Sequence, residues 1–135
     1  MAGFKKFEEI EAWQKARRLA YSIFELIKTD NFNMDKRLRS QMNGSSGSIM
    51  DNIAEGHGRG GNKEFVQYLF IAKGSSEELR SQLYRTLDRK WIDQNHFNEL
   101  FSEAETIEKM IQGLINYLQK ATGTSDFKGI KYKNR

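Results

Sequence analysis

Over residues 94–120 the apolar side chains Phe97, Leu100, Ala104, Ile107, Ile111, Leu114 and Leu118 recur at steps of three and four without a slip. That spacing holds one stripe of an α-helix apolar along its length, whereas a strand needs alternation at every residue. Three other segments keep the same period. Residues 7–28 place Ile10, Trp13, Ala20, Phe24 and Ile27 on one seam, widened by Ala16, Leu19, Ile23 and Leu26. Glu8, Glu9 and Glu11 gather at the start of that segment, where the helix dipole favours negative charge. Residues 35–55 carry Leu38, Met42, Ser45, Ile49 and Ile53 in phase, and residues 62–91 carry Phe65, Leu69, Ala72, Ser76, Leu79 and Leu83, with Asn62 as the expected N-cap.

Two places strain the helical reading. The run NGSSGS at 43–48 resembles a flexible linker, and each glycine in a helix interior costs several tenths to about 1 kcal/mol. Gly74 can end one helix while Ser75-x-x-Glu78 box-caps another. In both the apolar phase runs through, so each segment is expected to be one helix, with its small residues letting neighbouring helices approach closely. Gly56 is then the natural stop of the second helix. Proline is absent throughout. Four amphipathic segments with short connections predict an all-α, antiparallel up-down-up-down four-helix bundle over residues 1–122. Residues 123–135 have no helical period and read as a basic, disordered tail.

The stretch NIAEGHGRGGNKEF at 52–65 contains the Gly56-x-Gly58-x-x-Gly61 spacing of a dinucleotide fingerprint. That fingerprint works only where a buried strand runs into the first glycine, and here the approach has helical period. A phosphate-cradling Walker loop fails as well, because Asn62 follows Gly61 in place of a Lys-Ser/Thr pair. Two readings remain open. Gly56, Gly58, Gly60 and Gly61 form a tight reversal between the second and third helices, with Asn52 and Glu55 bonding loop amides. Alternatively, Arg59 and Lys63 beside the start of the third helix bind phosphate.

A chain of 135 residues is sized for one domain with a real core. It has no cysteine, which excludes disulfides and thiolate metal sites and fits a cytoplasmic protein. The first residues show no apolar targeting stretch and no run approaches the ~20 apolar residues that cross a bilayer, so no membrane association is expected. His57 and His96 stand far apart without a Glu-x-x-His pair, and no catalytic residue, cofactor or metal is expected. Lys128, Lys131, Lys133 and Arg135 against Asp126 place +3 of the net +4 within residues 123–135.

The blocks NIAEGHGR and EFVQYLFIAKGSSEELRSQL resemble the two signature blocks of the four-helix bundle family encoded in intervening sequences of bacterial large-subunit ribosomal RNA, and EEIEAWQKARRLAYSI resembles its first helix. The resemblance covers about residues 5–120. It implies a non-catalytic bundle assembling into a ring, commonly of five subunits. Related accessory proteins of diversity-generating retroelements bind a reverse transcriptase and nucleic acid, which makes these the implied partners. Asn43 and Gly44 stand where such proteins usually carry paired arginines, and Met50 where they carry proline.

The candidate nucleic-acid contacts are therefore Arg17, Arg18, Arg59, Lys63, Arg80, Arg85 and Arg89 on the bundle, with Lys128, Lys131 and Lys133 interleaved with Phe127 and Tyr132 on the tail. Tyr21, Tyr68, Phe70, Tyr84, Leu87 and Trp91 fall off the four seams and are the candidate oligomer interface. The expected function is a homo-oligomeric bundle that binds nucleic acid or a nucleic-acid enzyme. The alternative is a purely structural oligomer.

Overall fold

The computed structural model describes residues 3–121. A 3-10 turn at Phe7–Glu9 leads into α1 (Glu11–Ile27), and a second at Asp30–Met34 leads into α2 (Lys36–Gly58). α3 (Asn62–Asp88) and α4 (Gln94–Ala121) follow. The described residues contain no strand. Each helix packs on the next and α4 returns to α1, so α1 and α3 stand at diagonal corners.

The contacts between helices fix their directions. Along α3, Tyr84, Ser76 and Lys73 meet Phe101, Ala104 and Gln112 of α4, so position falls on one helix as it rises on the other. The α2–α3 pair runs likewise from Ser45–Gln82 through Ser48–Ser75 to Gly56–Tyr68. At the α1–α2 pair, Arg39 of α2 donates to the carbonyls of Ile27 (2.7 Å) and Thr29 (3.1 Å), satisfying groups left open at the end of α1. Neighbouring helices are antiparallel.

α2 and α3 bury the stripes their spacing predicts: Leu38, Met42, Ser45, Ile49 and Ile53 on one, and Phe65, Leu69, Ala72, Ser76, Leu79 and Leu83 on the other. Both helices are continuous through their glycines. α1 is rotated from the expected seam. Its buried set is Ala12, Trp13, Ala16, Leu19, Ile23, Leu26 and Ile27, while Phe24 is 48% exposed. Only Glu11 lies in the first turn of α1; Glu8 and Glu9 belong to the preceding 3-10 turn. On α4, Ile115 is buried where Leu114 is half-exposed.

The small residues of α2 and α3 act differently from expectation. A Cβ on Gly44, Gly47 or Gly74 would meet nothing within 4 Å, so these glycines do not mediate close approach within the bundle. The serines do the packing: Ser45, Ser46, Ser75 and Ser76 are buried, and Ser46 bonds the Asn43 carbonyl at 3.2 Å. Close approach occurs instead at Gly56. Asp35 caps α2 by accepting from the Leu38 amide at 2.9 Å. The expected tail at 123–135 lies outside the described residues.

Candidate functional site

The corner between α2 and α3 is built around Gly56, which is buried inside α2 and not at its end. A Cβ there would stand 2.7 Å from the Tyr68 Cβ and 3.0 Å from the Phe65 ring, so only glycine lets the helices meet at this point. The helix runs two residues further. Of the four glycines, Gly60 alone has a left-handed backbone, with φ of 86°, and makes the reversal. Gly61 is the N-cap of α3, displacing Asn62 to its first helical position. His57 Nε2 lies 2.9 Å from the Phe4 carbonyl, and its ring meets Phe65 edge-on, tying the segment before α1 to the corner.

Asn52 does not reach the loop. Its amide donates to the Ser48 carbonyl and to Ser48 Oγ, both at 2.9 Å, one turn back in α2. Glu55 turns to Arg59 at 2.9 Å, and Arg59 donates to Tyr68 Oη at 2.6 Å while stacking 5.1 Å above that ring. Arg59 therefore closes the corner through a carboxylate and an aromatic face. Lys63 sits half-exposed in the first turn of α3.

The other arginines are engaged in similar ways. Arg89 bonds Asp35 at 2.7 Å and stacks on Trp91, with Arg85 behind it at 3.9 Å from the same carboxylate. The hydrogen bond from Arg89, followed by the Leu38 amide, holds the Asp35 carboxyl below the usual range. Arg80 bonds Glu108 at 2.7 Å over the Phe101 ring. Burial pushes the Glu108 carboxyl up, against the pull of Arg80. Arg17 lies over Trp13, and Arg18 lines a cleft on the α1–α4 side.

Between α2, α3 and α4 runs a set of buried and partly buried polar rungs whose partners the sequence reading missed. Ser45 Oγ donates to Gln82 Oε1 at 2.6 Å, Ser48 and Ser75 hydroxyls lie 2.8 Å apart, and Ser76 Oγ donates to the Ala104 carbonyl at 3.0 Å. The signal was present, since Ser45 and Ser76 occupy apolar phase positions where only a paired hydroxyl is cheap to bury.

The candidate interface residues divide into two groups. Phe70, Leu87 and Trp91 pack against the chain's own core, and Trp91 meets the buried Phe32 edge-on at 5.1 Å. Tyr68 is half-buried in the corner. Tyr21 and Tyr84 are exposed, at 64% and 50%. Tyr84 stands over Phe97 and Phe101, each 5.2 Å away. Tyr21 pairs with Phe24 at 6.2 Å. Glu25 hydrogen-bonds Tyr21, which raises the phenol's pKa, and Lys28 bridges Glu25 at 3.0 Å. Ile71 and Tyr117 are also exposed, although neither was singled out from the sequence.

Among the described residues, clefts of about 350 Å³ open at two places on the α1–α4 side. One, midway along, is lined by Lys15, Arg18, Ser22, Ser102, Glu103 and Thr106. Burial there, reinforced by Glu99, raises the Glu103 carboxyl. The other is apolar and lies between the start of α1 and the end of α4. Among the described residues no three His, Cys, Asp or Glu side chains come together as a metal cage. No helix among them is long and apolar enough to cross a membrane.

These features define a four-helix bundle whose polar interior is committed to holding helices together. The chain belongs to the 23S rRNA-intervening sequence protein family, whose model matches residues 8–113. The family resemblance carried by the two signature blocks thus holds. A similar solved structure is that of a protein of unknown function from the S23 ribosomal protein family of Bacteroides thetaiotaomicron. It is 20% identical, with a TM-score of 0.70 over 77% of this chain and 97% of that one, a likeness of fold. No curated protein matches the chain.

Proposed function

We propose that the protein is a non-catalytic assembly module whose copies associate head to tail into a closed ring that presents basic side chains to nucleic acid. The observation that carries this reading is the pair Tyr21 and Phe24, two large rings side by side on the outer face of α1. Tyr84 stands exposed on α3, at the diagonal corner. Apolar groups kept outside a bundle mark a contact surface, and Glu25 and Lys28 give the α1 patch a charged rim. Two unlike patches on different faces make a head-to-tail contact, which closes into a ring when the rotation allows. Family resemblance suggests five copies.

Nucleic acid would be met by Arg17 and Arg18 of α1 together with Lys128, Lys131 and Lys133. The engagement of Arg59, Arg80, Arg85 and Arg89 with carboxylates favours a second reading, a structural oligomer without a nucleic-acid role. The assembly is tested by the double variant Tyr21→Ser, Phe24→Ser in sedimentation velocity. The proposal expects an unchanged helical spectrum and a shift to the single-chain species. An unchanged sedimentation coefficient at the wild-type assembled value would remove α1 from the interface, and single-chain sedimentation of the wild type would remove the ring.

A further inference from the structure

The apolar cleft between α1 and α4 is lined by Phe4, Ile10, Ala12, Met110, Leu114 and Tyr117, with Gly113 in its α4 wall. Tyr117 is 56% exposed at the end of this wall. Glu11 is the one charged residue in the lining. A cleft of about 350 Å³ with this lining is the size and character of a site for one or two large apolar side chains.

We propose that this cleft is the docking site of the chain's own C-terminal segment, with Phe127 as the anchor and Ile130 or Tyr132 as the second contact. Three observations support that occupant. The first is position: α4 ends at Ala121, one turn past Tyr117, so residues 122–135 begin at the mouth of the cleft. The second is reach. The α4 backbone from Met110 to Ala121 is about 16 Å long. The chain from Ala121 to Phe127 spans up to about 20 Å when extended. Gly123 permits the reversal, and the four residues from there to Phe127 span about 13 Å, which returns Phe127 along the α4 wall to the level of Leu114. The third is chemistry. The segment alternates Phe127, Ile130 and Tyr132 with Lys128, Lys131 and Lys133, which matches an apolar floor beside a carboxylate.

Tethering makes the docking intramolecular, so even a weak contact is populated at the millimolar effective concentration of a short linker. A docked segment withholds Phe127 from base stacking and brings its lysines to the α1 end of the bundle. The inference goes beyond the assembly reading and does not depend on it.

The test uses the full chain with p-benzoylphenylalanine in place of Phe127, irradiated and digested for mass spectrometry. The expected product is a crosslink to the peptide containing Met110 and Leu114, within one chain and without a dimer band on a denaturing gel. The companion variant Gly113→Trp fills the cleft from a helical position where a Cβ meets nothing within 4 Å, so the fold is kept. It should abolish that crosslink while leaving the far-ultraviolet circular dichroism unchanged. Crosslinks outside the cleft, a chain-to-chain product at the same peptide, or a crosslink that survives Gly113→Trp would each overturn docking within the chain.

Discussion

A side chain on Gly56 would begin 2.7 Å from the Cβ of Tyr68, closer than packed carbons come. Gly74, on the same α3 that carries Tyr68, faces open space. Two alanine substitutions should therefore have opposite signs. Gly56→Ala forces α2 and α3 apart and should cost about 1–3 kcal/mol. Gly74→Ala removes backbone freedom from an exposed helix interior and should stabilise by about 0.5–1 kcal/mol. Urea unfolding of the two variants measures both; a stabilised Gly56→Ala protein would contradict the close approach.

Ser45 and Gln82 form the innermost rung between α2 and α3, at 2.6 Å and both buried. Ser45→Ala leaves the Gln82 amide oxygen without this partner and should destabilise by about 1–3 kcal/mol. Ser45→Ala with Gln82→Leu removes both polar groups and should recover much of that loss, since no buried donor or acceptor is then stranded. A double-mutant cycle reads the coupling directly. Additive losses would mean that the pair is not coupled in the folded protein.

Asp35 joins the start of α2 to the end of α3 through Arg89. Its folded pKa lies below the unfolded value of about 3.9. The bond therefore contributes stability that is fully present above about pH 4 and is lost as pH falls through the depressed folded value. Asp35→Asn keeps a cap-competent side chain but no charge, so its stability should fall less steeply than that of the wild type below pH 4. Melting curves from pH 6 to pH 2.5 check this, and parallel slopes in the two proteins would rule out the linkage.

Much of the bundle was legible because its signal is periodic. The burial of Leu38 through Ile53 and of Phe65 through Leu83 follows from spacing alone, even across glycines that raise the local cost of helix. A broad apolar face leaves the centre of its buried stripe open, as α1 illustrates. The buried stripe of α1 centres on Ala16, Leu19, Ile23 and Leu26, the residues that widened the expected seam, and leaves Phe24 at its exposed edge. The corner was harder to read, since nothing local separates a glycine that admits a neighbouring helix, as Gly56 does, from one that turns the chain, as Gly60 does. Lys90, with φ of 62°, takes the left-handed place after α3 that glycine usually fills, so the stop was not visible in the residue type. Long-range ion pairs such as Arg89–Asp35 carry no sequence period at all.

Nucleic-acid binding has its own signature. If Arg17, Arg18 and the lysines of residues 123–135 meet phosphates, affinity for structured RNA should fall steeply as salt rises, with log K linear in log salt. Deleting residues 123–135 should then weaken binding and flatten the slope. Fluorescence anisotropy over a salt series measures both quantities, and absence of binding at low salt would favour the structural reading.

Assembly of the wild-type chain is tested by one measurement without any variant. Light scattering coupled to gel filtration, at micromolar concentration, returns the mass of the particle in solution. One chain weighs 15.7 kDa. The expected particle has about five times that mass, the copy number the family resemblance suggests for the ring that the unlike exposed patches on α1 and α3 would close. A mass near 15.7 kDa would contradict it.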